Sequence, residues 1–111
     1  MDNMTNPLPA AFAFDRIEWE SPAPGLRTKT LIRGDKKLRM VEFGAAFVEP
    51  NWCTRGHAGL VLEGEMEINF DGRIERFRAG DALVIPNGEA HRHRHHTTIR
   101  TARLFLVEEV G

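Results

Sequence analysis

The chain has 111 residues, 15 Lys and Arg against 16 Asp and Glu, a net charge of -1 and 41% hydrophobic residues. That is enough sequence for one domain with a buried core, and the balanced charge supplies no overall field that would draw it to nucleic acid or a membrane surface. A single cysteine allows no internal disulfide, and no stretch approaches the roughly 20 apolar residues of a membrane-spanning helix. The start, Met1-Asp2-Asn3-Met4, lacks the basic and apolar segments of a signal peptide, so the expected setting is cytoplasmic. The expected partner is a small-molecule ligand, with no nucleic acid and no membrane.

Residues 1–11, with Pro7 and Pro9 among small and polar side chains, read as a flexible N-terminal arm, and residues 12–111 as one domain. Phe12, Phe14, Ile17 and Trp19 anchor a first extended piece, which Ser21-Pro22-Ala23-Pro24-Gly25 breaks with a turn or corner. Leu26 to Ile32 resumes a strand, Arg33-Gly34-Asp35-Lys36 turns, and Leu38 to Phe43 makes the next strand. Leu60 to Phe70 carries the clearest period-two signal: Leu60, Leu62, Met66, Ile68 and Phe70 are expected on one core-facing side, alternating with Val61, Glu65, Glu67 and Asn69. Asp71-Gly72 reads as a type I′ hairpin turn, because both of its positions need positive φ. Ile74 to Arg78 returns, Ala79-Gly80-Asp81 turns, Ala82 to Ile85 is a short buried strand stopped by Pro86, and a last strand runs from Thr98 to Val107. No helical stripe appears, and turn signals arrive about every 8 to 12 residues, the spacing of an all-β sandwich or barrel.

All 5 histidines and the 1 cysteine fall between Asn51 and His96, bunched at the two ends of that stretch. The second end, Gly80, Pro86, Gly88 and His91, with His95 in the final position, resembles the cupin motif G-x5-P-x-G-x2-H-x3-N. The first end resembles the cupin motif H-x-H-x3-E-x6-G only in its scaffold. Gly64 is in place, but Asn51, Cys53 and His57 stand where the family has its two histidines and its glutamate. A Trp-Cys-x-x-Gly-His signature at residues 52–57 is similar to that of a smaller set of cupin-like proteins.

The resemblance implies a small RmlC-like single-domain cupin, an all-β double-stranded β-helix or jelly-roll barrel, usually a homodimer with a segment such as Phe12 to Trp19 against the partner. In such a barrel the strand of Asn51 and Cys53 lies beside the strand starting at His91, Asn51 and Cys53 point inward while Trp52 points away, and Gly56 permits the close approach that delivers His57. Cys53, His57 and His91 are then the expected metal ligands. A thiolate and two imidazoles with one open position suit a divalent transition metal, Zn first, with Ni, Fe, Co or Mn compatible. His93 and His95 share the face of His91 and are the candidate catalytic residues, as a further ligand or as a general base. Arg92 and Arg94 fall on the opposite face, and Glu63 and Glu65 read as solvated carboxylates.

Each of these residues also has a plainer reading: Cys53 as a small buried hydrophobe, His57 as a loop cap, and His93 and His95 as parts of a solvated loop. The functional expectation is a metal-binding cupin acting on a small anionic or carbonyl substrate by lyase, isomerase or hydrolytic chemistry. The alternatives are a non-catalytic ligand or metal sensor, a metal-free epimerase or isomerase relative, and an iron oxygenase.

Overall fold

The computed structural model describes residues 10–110. The expected N-terminal arm, residues 1–11, lies outside that range except for Ala10 and Ala11. The described chain is mostly strand: β1 (Glu20–Ala23), β2 (Leu26–Arg33), β3 (Lys36–Phe43), β4 (His57–Asn69), β5 (Ile74–Arg78), β6 (Ala82–Ile85) and β7 (Arg94–Glu109), with two 3-10 turns at Phe14–Arg16 and Glu89–His91. All pairings are antiparallel, in the order β1-β2-β3-β7-β4-β5, with β6 on the first part of β4. The all-β cupin-type barrel expected from the sequence is the fold observed.

Two long strands curve this sheet around its core. β4 has 13 residues and β7 has 16, and their mutual register slips between Val61 and Glu65 and again near Ile68. Each slip is a bulge that bends the strand. The bulge at Gly64 also reverses which residues face inward, and it corrects the single alternation expected for Leu60 to Phe70. Val61 is 1% exposed and Met66 2%, whereas Leu60 and Leu62, expected in the core, are 41% and 40% exposed. Gly64 makes the reversal feasible because its φ is +80° and a Cβ there would collide with the Thr101 carbonyl.

The core gathers Val41, Met66, Phe77, Leu83, Leu104 and Leu106 between the curved faces, each side chain contributing on the order of 1.5–3 kcal/mol by leaving water. The hairpins form as read. Asp71 and Gly72 have φ of 61° and 104°, and the Phe70 amide donates to the Arg73 carbonyl at 2.7 Å to close the turn. At the N-terminal side the corner at residues 21–25 is smaller than expected. Glu20–Ala23 is a short strand on the sheet edge, where Pro22 removes no interior ladder bond, leaving only Pro24 and Gly25 to turn. The preceding segment lies on the chain's own sheet, with Phe14 edge-on to Phe105 at 5.9 Å and its carbonyl accepting from Lys29 Nζ at 3.1 Å.

Glu65 needs a second correction. It is 6% exposed rather than solvated, and Arg76, Arg78 and Arg100 approach its carboxylate at 3.2, 3.3 and 3.2 Å. Three guanidiniums replace the water that burial removes from the carboxylate.

Candidate metal centre

The segment from Asn51 to Gly56 reaches the barrel through one isolated bridge, in which the Cys53 amide donates to the His93 carbonyl at 2.7 Å and the His93 amide to the Cys53 carbonyl at 3.0 Å. Directly opposed residues of an antiparallel pair present their side chains on one face. The bridge therefore sets Cys53 beside His93, not beside His91. His57 arrives at the first position of β4 after Gly56, where a Cβ would stand 2.5 Å from the Ile85 carbonyl oxygen. Asn87 Oδ1 accepts the Gly56 amide at 2.6 Å and secures the approach.

These placements bring together Cys53 Sγ and the imidazoles of His57 and His93, whose candidate ligand atoms all lie within 4.8 Å of one another. His91 lies in the 3-10 turn Glu89–His91 and is exposed, so the local coil carries it away from the cluster that the motif spacing assigned to it. His91 contributes through its backbone: its carbonyl faces His93 Nδ1 at 3.1 Å. A carbonyl only accepts, so Nδ1 carries the proton and His93 Nε2 presents a lone pair. That Nε2 is buried and has no hydrogen-bond partner. Asn51, expected to point inward, is exposed. Trp52 points away as expected, and Arg94 and Arg92 lie 4.4 and 5.0 Å from its ring.

Glu108 orients His57. Its carboxylate, with a side chain 0% exposed, accepts His57 Nδ1–H at 2.6 Å and Arg39 Nη1–H at 2.9 Å, which directs His57 Nε2 toward Cys53 Sγ, 4.0 Å away. Sequence reasoning missed Glu108. The available signal was its parity, since Ala102, Leu104, Leu106 and Glu108 are all buried at every second position of β7, so the carboxylate occupies a core-facing position.

The same contacts set the protonation states. The hydrogen bond from His57 is the largest effect lowering the Cys53 thiol to about 6, and the nearby His93 adds to it. Burial opposes charge on His57, but the bonds to Cys53 and Glu108 outweigh it and raise the imidazole to about 9. Burial likewise opposes ionisation of Glu108, and His57 and Arg39 prevail, holding it at about 2. Without a metal, Cys53 and His57 are a thiolate and an imidazolium at neutral pH.

A cavity of about 150 Å³ opens from this cluster into the barrel. Cys53, His57 and His93 border it, Phe43, Phe47 and His95 contribute to its wall, and Val41, Ile68, Leu104 and Leu106 make much of the remainder apolar. His95 stacks on Phe43 with ring centroids 4.5 Å apart and meets Thr98 Oγ1 at 2.9 Å through Nε2. Burial, aided by the nearby His96, lowers it to about 4.

Residues 38–108 match the family model described as the cupin domain. The chain belongs to the cupin family. This cupin is similar in structure to KdgF from Halomonas sp., with 23% identity, a TM-score of 0.72 and coverage of 90% of this chain and 94% of that one. It is also similar to an RmlC-like cupin from Shewanella frigidimarina, with 19% identity, a TM-score of 0.72 and coverage of 94% and 93%. A third likeness is to the polyketide cyclase RemF from Streptomyces resistomycificus, with 23% identity, a TM-score of 0.76 and coverage of 94% and 81%. At these identities the likeness is one of fold. No curated protein matches the chain. No helix among the described residues is long and apolar enough to cross a membrane.

The donor set fits a transition metal. One thiolate and two imidazoles are ligands that Zn and its neighbours accept, and a carboxylate behind a ligating histidine is the usual outer partner of such a site. The buried, partnerless Nε2 of His93 is the group that such an ion would satisfy.

Proposed function

We propose that this cupin binds a divalent transition metal through Cys53, His57 and His93 and uses it to act on a small molecule by lyase, isomerase or hydrolytic chemistry. The observation that carries the reading is the lone pair of His93 Nε2, buried without a partner and grouped with Cys53 Sγ and His57 within 4.8 Å. Three protein donors leave a position for water or substrate, where Zn, Ni, Fe, Co or Mn supplies Lewis acidity. Glu108 holds His57, the cavity wall orients the ligand, and His95, neutral at physiological pH, offers a hydrogen-bonding nitrogen rather than a charge. A small molecule is the natural partner of a cavity this size. A homodimer in a cytoplasmic setting completes the proposal, and the mass in solution at micromolar concentration tests the dimer.

Elemental analysis of the purified protein and four variants tests the metal site. Wild type and His91→Ala are expected to carry one equivalent of metal, and Cys53→Ser, His57→Ala and His93→Ala to lose it. Metal content indifferent to Cys53 and His93 refutes the assignment. A second reading has its own observation: Cys53, His57 and Glu108 are in successive contact at 4.0 and 2.6 Å, the arrangement of a thiolate nucleophile with an oriented base. That reading requires a metal-free protein whose Cys53 is alkylated rapidly at pH 7, so the same elemental analysis separates the two.

A further inference from the structure

The cavity behind the metal cluster has a composition of its own. One side is a contiguous aromatic surface: Phe43 and His95 stack at 4.5 Å with planes 21° apart, and Phe47 leans on them at 5.4 and 5.2 Å. Beside it the lining is aliphatic, with Val41 two residues from Phe43 on β3 and Leu104 and Leu106 on the adjoining β7. The volume, about 150 Å³, is that of a cavity that takes up one benzene-sized ring.

The polar groups on this wall are few, and most are occupied. Arg39 is paired with Glu108 at 2.9 Å, and the Glu49 carboxylate accepts the His95 amide at 2.7 Å. The Arg39 charge is thus matched and a carboxylate is added, so away from the cluster of Cys53, His57 and His93 a ligand bearing its own negative charge into the apolar interior finds no free counter-charge. His95 is the exception. It is 7% exposed, lines the cavity, and has no hydrogen-bond partner at Nδ1. A buried imidazole nitrogen without a partner costs stability that a ligand's polar atom recovers. His93 and His95 stand two residues apart with side chains on one face, about 6.7 Å along the strand, a separation that one ring and its substituents bridge.

We propose that the cavity selects a compact, uncharged hydroxyaromatic ring, its face against Phe43, Phe47 and His95 and an oxygen hydrogen-bonded to His95 Nδ1. This deepens the small-molecule reading above by naming the substrate class, and it narrows the anionic or carbonyl substrate expected from the sequence. The aromatic wall supplies contact area and preferred ring geometry, and His95 Nδ1 discriminates between a hydroxylated ring and a bare one.

Calorimetric titration of phenol, benzene and propionate into the protein, with and without added zinc, tests the assignment. In the metal-free protein phenol is expected to saturate one site about tenfold more tightly than propionate. Phe47→Ala, a loop substitution compatible with folding, is expected to weaken phenol about tenfold with metal content unchanged. His95→Phe keeps an aromatic ring against Phe43 but removes the nitrogen, so it is expected to weaken phenol and leave benzene unaffected. Propionate binding as well as phenol in the metal-free protein, or phenol binding indifferent to Phe47→Ala, overturns the inference. Phenol binding with the expected dependence on Phe47 in a protein that takes up no metal leaves the inference standing and removes the metal site. A metal-loaded protein that does not bind phenol at millimolar concentration does the reverse.

Discussion

Glu108→Gln isolates the contribution of one buried charge to the metal centre. The substitution keeps the volume of a side chain that is 0% exposed and removes the charge that His57 Nδ1 meets at 2.6 Å and Arg39 at 2.9 Å. An amide oxygen can still accept the Nδ1–H bond, so His57 stays in place while losing the negative charge that raises the basicity of its ligating nitrogen. Loss of such an outer partner lowers metal affinity about 10- to 100-fold, or roughly 1.4–2.8 kcal/mol. Folding loses more, because removing one partner of a buried pair costs about 3–5 kcal/mol. The low end applies here, since the Arg39 side chain is 24% exposed and is partly rehydrated. Competition titration against a chromogenic chelator at fixed pH reads the first effect, and urea denaturation of the metal-free protein reads the second. Affinity within twofold of wild type in a folded variant would refute the orienting role, as would a loss equal to that of His57→Ala, which would mean that the site had collapsed.

Three further outcomes follow from the fold and its charges. Gly64→Ala places a Cβ against the Thr101 carbonyl at φ +80° and is expected to destabilise the barrel by about 2–4 kcal/mol in urea denaturation, where a change below ~1 kcal/mol contradicts the bulge. Val61→Ser is expected to cost about 2 kcal/mol and Leu60→Ser under 1, a ranking that the uninterrupted alternation would reverse. Glu108 is depressed from 4.5 to about 2, so its contribution is fully present above pH 4.5 and is lost as pH falls through 2, a decline of roughly 3 kcal/mol that denaturation at stepped pH should show in wild type and not in Glu108→Gln. Cys53 and His57 act oppositely in the metal-free protein. Between pH 6.5 and 9 the folded state keeps one proton on His57 and the unfolded state keeps one on Cys53, so this pair contributes no slope there.

Chain-local chemistry determined much of this protein. Period-two runs, the Asp71-Gly72 turn, the stop at Pro86 and the spacing of Gly80, Pro86, Gly88 and His91 specified an all-β cupin barrel, because turn residues and alternation act over a few neighbouring positions. They also drew Cys53, His57 and His93 into the candidate set, with His93 among the catalytic residues rather than the ligands. Tertiary structure decided which histidine joins the cluster. Counting along the chain treats residues 91–95 as one straight strand, while the 3-10 turn at Glu89–His91 rotates His91 outward and the bridge to Cys53 fixes His93 inward. Only the fold revealed what Glu108 meets, His57 51 residues away, and what surrounds Glu65, three arginines from β5 and β7. A bulge at Gly64 exchanges the two faces of β4 without altering the hydrophobicity of the sequence around it. Burial in a curved sheet depends on which strands lie opposite, and that information exists only after the chain has closed on itself.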